Sequence, residues 1–418
     1  MSAFKPLLQR LFHDFVPQHI YGYAFVAKSL QLHVSLRFSA PRYDNYCKIW
    51  VKKRSVYSME IGIIGLPQTG KKTLFNLLTN GTSAVTHGLE RSAKKANIGL
   101  SKVHDDRLNQ LATKYNPKAV TPAIIQYLLL PKLSKNSEEN RETFTAISTV
   151  DAICHVVRAF DNEAVFHLDG TVDPLRDVEY VHAELLLADL IFCETRIERL
   201  NKDIKRKNDL TKEKELALMK RIEEHLNGEK PLRVMPLNDE EKKILNAYPF
   251  LTRKNMIIAL NVNENDLTAD ELRQRVEAAC VNDGIHSMEV SLKIEEELAE
   301  IEDTAEREIF FDELGINRSA LEKITQLSYA ALNRISFFTV GEDEVRAWTV
   351  RSNAYAPQAG GTIHSDIERG FIRAEHMRFD DLISLGSEQK VKEAGKLSLK
   401  GKDYQVQDGD ILHFLFNV

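Results

Sequence analysis

In the stretch GLPQTGKKT, Gly65, Gly70 and Lys71 have the spacing of a loop that wraps phosphate, G-x-x-x-x-G-K-[S/T]. The glycines of such a loop let consecutive backbone N–H groups face an anion, and the helix that follows adds its positive end. The lysine neutralises the β and γ phosphates, and the hydroxyl after it holds Mg2+. Here that last position is Lys72, which cannot ligate a cation. Thr73 comes next, but one helical step turns its side chain by about 100°, so it does not simply take over. The phosphate-contacting set is Gly65, Leu66, Pro67, Gln68, Thr69, Gly70, Lys71, Lys72 and Thr73. Either Mg2+ binding is weakened or lost, or the Lys72 ammonium supplies the positive charge in its place.

A second chemical loop is Asn261-Val262-Asn263-Glu264. Proteins that read guanine here use N-K-x-D, whose Asp accepts two hydrogen bonds from the base. This loop has no Asp at the fork, and Glu264 is one methylene longer. A site that leaves buried donors unsatisfied rejects them, so guanine loses its discriminating partner. Ser291 and Leu292 supply the supporting loop beside the base.

These loops need strands that end beside one another. MEIGIIG is a short apolar run ending in glycine, and the KKTLFNLLTN that follows carries Leu74, Leu77 and Leu78 at helical spacing. Further strands are expected at 123–130, 150–160, 255–264 and 287–291, alternating with helical stretches. That order predicts an α/β domain with a mostly parallel sheet. Between the third and fourth strands, Leu186, Leu190, Cys193, Ile197, Leu200 and Ile204 form a heptad seam, and Leu216, Met219, Ile222 and Leu226 a shorter one. Together they predict an antiparallel helical-hairpin arm. The domains are therefore 59–180 with 251–300 for nucleotide binding, 181–250 for the arm, 301–336 for a helical linker and 337–418 for a mixed α/β end module.

The 418 residues carry a net charge of −5, which argues against a protein that coats nucleic acid generally; no DNA partner is expected. Four scattered cysteines without a CxxC suit reduced thiols in a cytoplasmic setting rather than a disulfide or zinc framework, and no metal-ligating cluster is expected. No apolar run reaches the ~20 residues that cross a bilayer, so no membrane partner is expected. Residues 1–58 differ, with nine Lys or Arg against Asp14 and Asp44. This composition fits a basic leader, or translation that begins at Met59. The oligomeric state is not set by these features.

From Met59 to Val418 the chain resembles the YchF family, the Obg-related P-loop NTPases with a helical arm and a C-terminal TGS domain. The resemblance is carried by GLP..GK.TLFN, ANIGLSKVHDDRL, the long run RETFTAISTVDAICHVVRAFDNEAVFHLDGTVDPLRDVEYVHAELLLADL, NVNE, EVRAWTV, IERGFIRAE and GKDYQVQDGDILHFLFNV. It implies a β-grasp fold for the end module, association with the ribosome or another RNA-containing translation component, and, through the N-x-x-E loop, ATP rather than GTP as ligand. It also implies that His167, in EAVFHLDG, matches the family's proposed catalytic histidine, which can orient or deprotonate water near a γ-phosphate.

The switch motifs depart from the family. Ala93 stands near the place of a Mg2+-holding threonine. Leu129 lies where D-x-x-G has its Asp, and Lys132 where it has its Gly. With Lys72, three Mg2+-related features are missing together, and the expectation is a nucleotide-binding protein with weak or lost hydrolysis. An active ATPase with a rearranged Mg2+ site and a nucleotide-free scaffold remain alternatives. Residues 337–418 hold ten Lys or Arg against thirteen Asp or Glu, so an RNA contact there is expected only on a local face around Arg346, Arg369 and Arg373.

Overall fold

The computed structural model describes residues 59–79, 97–167, 169–206, 209–264, 271–280, 283–301, 303–314 and 319–417. The basic segment 1–58 and Ala93 lie outside them. Two compact units are formed, one comprising 189–249 among the described residues and the other 57–188 with 250–418.

The larger unit is built on two sheets. Its strands are β1 (Glu60–Ile64), β2 (Asn97–Lys102), β3 (Ala119–Thr121), β4 (Ile124–Leu129), β5 (Ala152–Ala159), β6 (Asn255–Val262), β7 (His286–Val290), β8 (Arg334–Thr339), β9 (Glu344–Arg351), β10 (Phe371–Arg378), β11 (Ser398–Lys400) and β12 (Asp410–Phe416). Helices are numbered the same way: α1 (Lys71–Leu78), α2 (Asp106–Tyr115), α3 (Arg141–Thr149), α4 (Pro174–Arg206), α5 (Leu210–Asn227), α6 (Asp239–Leu245), α7 (Glu271–Cys280), α8 (Leu292–Glu300), α9 (Thr304–Glu313), α10 (Ala320–Ala331), α11 (Ala356–Ile363), α12 (Ser365–Arg369), α13 (Phe379–Leu385) and α14 (Glu388–Glu393).

The first sheet has the order β2-β4-β1-β5-β6-β7. Only β2 runs antiparallel to its neighbour, β4; β1 pairs in parallel with β4 and β5, and β5, β6 and β7 continue in parallel. The central strands read as unbroken apolar runs because both faces are covered. Side chains alternate between the faces. Ile61, Ile63, Cys154 and Val156 join the core under α1 and α10, and Ile64, Ile153, Val157 and Ile258 join the core under α4 and α7. Every loop at the carboxyl ends of β1, β5, β6 and β7 is thereby brought to one edge, where open α/β sheets bind ligands.

The second sheet has the order β11-β10-β12-β8-β9-β3. The hairpin β8–β9, the parallel pairing of β12 with β8 and the antiparallel pairing of β10 with β12 and β11 give the β-grasp arrangement. Its sixth strand, β3, comes from the nucleotide-domain region and pairs in parallel with β9. One face packs on α11 and α12. The other, through Phe338, Val345, Ala347 and Met377, merges with the core that contains α1 and β1. Arg107 in α2 reinforces this junction, donating to Asp105 and to Asp408, and Tyr115 donates to Glu388.

In the smaller unit, the end of α4 and α5 form the hairpin. Cys193 and Leu200 are fully buried there, as are Met219 and Ile222, and the Cys193 thiol donates to the Met219 carbonyl at 3.2 Å. Leu218 is buried while Leu216 is half-buried, so the second seam begins at Leu218. No helix among the described residues is long and apolar enough to cross a membrane.

Candidate functional site

The phosphate cradle begins where β1 runs out. Gly65 has φ 149°, and a Cβ there would lie 2.3 Å from the carbonyl oxygen of Val156. Gly70 has φ 94° and caps α1. A Cβ on it would stand 2.7 Å from both Asn261 Nδ2 and Leu292 Cδ1. Both positions thus exclude side chains for conformational and contact reasons together. Between them Gln68 also takes a left-handed conformation, φ 62°. The Thr69 hydroxyl is turned inward and donates to the Leu66 carbonyl at 3.1 Å. Lys71 folds into the loop, its Nζ donating to the carbonyl oxygens of Gly65 at 2.8 Å and Leu66 at 2.7 Å. Burial, with Lys132 nearby, pushes its pKa down to about 8. The first N–H groups of α1 have no intrahelical partner and face the mouth of this loop.

The base-reading loop and its support are tied to the cradle by one side chain. The buried Asn261 amide donates to the Thr69 carbonyl at 3.2 Å, and its oxygen accepts from the Leu292 N–H at 3.2 Å. Three loops from β1, β6 and β7 are thereby locked in register. Val262 is buried, whereas Asn263 and Glu264 stand exposed at the rim. The Glu264 carboxylate is paired with Lys293. The Ser291 hydroxyl is buried and has no hydrogen-bond partner among the described residues. These groups line a cavity of about 600 Å³ that is completed by Thr73 and by Phe160, Asp161 and Asn162.

The last three residues, with Lys293, went unseen in the sequence. Their position depends on Arg158, which is 2 % exposed. Its guanidinium donates to the carbonyls of Phe160, Asn162, Val165 and Phe166, and stacks 4.6 Å from the Phe160 ring. An arginine at the end of an otherwise apolar strand was the available signal, since a buried cation must have partners.

His167 follows this loop. Its Nδ1 accepts from the Asp169 N–H at 3.2 Å, and its Nε2 lies 3.3 Å from Asp177 Oδ2. The pattern makes Nε2 the protonated nitrogen and leaves neither nitrogen free to take a proton from water. Asp177 is in turn held by Arg176.

The segment after β4 is a fixed turn. The Leu133 N–H donates to the Gly65 carbonyl at 3.3 Å. Asn140, fully buried, accepts from the Ser134 N–H at 2.7 Å and donates to the Ser134 carbonyl at 2.8 Å. Thr143 donates to the Lys132 carbonyl, and the Tyr180 hydroxyl to that of Ser134. Lys132 and Lys72 are exposed and have no acidic partner among the described residues.

The positions expected to hold Mg2+ do not fit it. Oxygen ligands are required, yet Lys72 replaces the hydroxyl, Leu129 offers a half-buried aliphatic chain, and the Thr69 hydroxyl is spent inside the loop. Among the described residues no group of three or more His, Cys, Asp or Glu could hold a metal ion.

Of the three arginines expected to form a basic face, Arg346 lies in β9 and Arg373 in β10, with two strands between them, while Arg369 ends α12. Arg346 stacks 3.9 Å over Trp348 and is near Glu344, and Arg369 pairs with Asp366. They do not form one patch.

The strand order, with its single antiparallel edge strand and its strand–glycine loop–helix at the centre, defines a P-loop NTPase domain. Residues 334–417 match the family model YchF-GTPase_C, described as a protein of unknown function (DUF933). The chain is 38% identical over 368 residues to a Bacillus subtilis protein named ribosome-binding ATPase YchF, covering 86% of this chain and 100% of that one. A Haemophilus influenzae protein of the same name is 39% identical over 362 residues, covering 85% and 99%. The solved structure of the Schizosaccharomyces pombe YchF GTPase is similar with a TM-score of 0.76 at 31% identity, covering 87% of this chain and 99% of that one. This chain belongs to the YchF family.

Proposed function

We propose that the chain binds a purine nucleoside triphosphate in the 65–73 cradle, ATP in preference to GTP, cleaves it slowly or not at all, and acts as a regulator or adaptor at the ribosome. The observation that carries the reading is Lys71, whose ammonium is already held by the Gly65 and Leu66 carbonyls at the head of α1. A cation fixed beside unspent N–H groups is a preorganised phosphate site. Preference for adenine is supported by the base loop itself, whose carboxylate, Glu264, is engaged by Lys293 and is not free to accept the paired donors of guanine. Slow cleavage is supported by the lack of a metal-holding cluster among the described residues, by Lys72 and Leu129 at positions where Mg2+ ligands are expected, and by the occupied nitrogens of His167. Without concentrated positive charge and an available base, the transition state gains little over the ground state. Action at the ribosome is supported by the relatives named ribosome-binding ATPases.

Titration calorimetry with ATP, GTP and ADP tests the ligand. ATP is expected to bind more tightly than GTP. Absence of heat with all three would refute nucleotide binding, and tighter GTP binding would refute the base assignment. Co-sedimentation with ribosomes tests the partner.

A further inference from the structure

Three lysines meet the phosphate end of the cradle from two segments. Lys71 is inside the loop and Lys72 begins the exposed side of α1. Lys132 is presented by the turn after β4, whose backbone is fastened to the cradle at Leu133–Gly65. That segment is held from behind by Asn140, Thr143 and Tyr180. Ammonium groups brought to the cradle from these two segments, with no acidic partner for Lys72 or Lys132 among the described residues, repel a divalent cation. They attract a polyanion, most strongly one that still carries its full charge.

We infer that this site takes its nucleoside triphosphate without Mg2+, and that the Lys132 side chain contacts the γ-phosphoryl group and sets the preference for triphosphate over diphosphate. The inference rests on the nucleotide reading above and deepens it. In place of a mobile glycine N–H that senses the γ-phosphate, an ammonium carried on a tethered backbone segment reads it. Binding therefore reports the triphosphate without ordering a switch. Lys72 adds to the field at the β and γ phosphates, where a metal would otherwise sit.

The test is titration of ATP and ADP into the full chain, in EDTA and in Mg2+, with wild type, Lys132→Gln and Lys72→Gln. Both substituted side chains are exposed, and unchanged circular dichroism confirms that the variants fold. The wild type is expected to bind ATP about tenfold more tightly than ADP in EDTA, with Mg2+ leaving ATP affinity unchanged or weakening it. Lys132→Gln is expected to lose that preference by weakening ATP alone, whereas Lys72→Gln weakens both nucleotides. Tightening of ATP by Mg2+ of tenfold or more would overturn the inference, as would equal loss of ATP and ADP in Lys132→Gln. In either case ADP binding would leave the nucleotide reading standing. Failure of both nucleotides to bind would overturn that reading and the inference with it.

Discussion

Replacing Asn261 with alanine cuts the one side chain that fastens the cradle to the base loop and its support. The Thr69 carbonyl and the Leu292 N–H each lose their link at 3.2 Å, and both residues are nearly inaccessible to water, at 3 % exposure. An unsatisfied buried backbone group costs about 1–3 kcal/mol, so the pair together implies a loss of about 2–6 kcal/mol of unfolding free energy. The void left by the amide adds to it. Asn261→Asp separates the two links. It keeps an acceptor for the Leu292 N–H but turns a carboxylate toward the Thr69 carbonyl. Gly70→Ala reaches the same joint from the other side, since its new Cβ would stand 2.7 Å from Asn261 Nδ2. Urea unfolding followed by far-UV circular dichroism measures the loss, with the slope checked for constancy. Affinity for ATP should fall in parallel, because the loops lose their register. If Asn261→Ala changes stability by less than about 0.5 kcal/mol, as an ordinary surface change does, Asn261 is not the lock inferred here.

Three further outcomes are expected. Lys71 must be charged to hold phosphate and has a pKa of about 8, so ATP affinity should fall as pH rises above 8, approaching ~tenfold per unit, with proton uptake on binding visible in buffers of different ionisation enthalpy. His155, buried in β5 with its Nδ1 unpartnered among the described residues, has its pKa pushed down to about 3 by burial, aided by His182 and Lys71. The unfolded chain protonates His155 below about 6.5 and the folded chain only below about 3, so this group lowers stability as pH falls between those values. His155→Leu should flatten that part of a pH–stability curve. Arg107→Ala removes a cation shared by Asp105 and Asp408 and is expected to cost about 1–3 kcal/mol, with limited proteolysis showing earlier release of the β-grasp module.

The cradle was legible because glycine spacing and a following amphipathic helix are local signals. So were the central strands, whose unbroken apolar runs reflect burial on both faces. What escaped notice depends on distant pairings. Nothing in Ala119–Thr121 announces that it extends a sheet whose other strands begin after residue 333. The stretch after Leu129 reads in the sequence only as a departure from D-x-x-G, and its order comes from Asn140 and Thr143 reaching back to it. Lys132 was visible only as a missing glycine, whereas the fixed turn gives it a position at the cradle. Leu216 satisfied the heptad spacing, yet Leu218 is the buried residue, because packing selects the face within the tolerance of the pattern. His167 could be located by resemblance, but not the tie of both its nitrogens to Asp169 and Asp177.

On the proposed function, the cradle for phosphate persists while the means of cleaving it is weak or lost. A single-turnover measurement tests this most directly: ATP is bound with protein in excess, with and without Mg2+, and the nucleotide is recovered and analysed over hours. ATP is expected to be recovered largely intact, with any slow conversion to ADP unchanged by Mg2+. Conversion to ADP that Mg2+ accelerates and His167→Ala abolishes would contradict it.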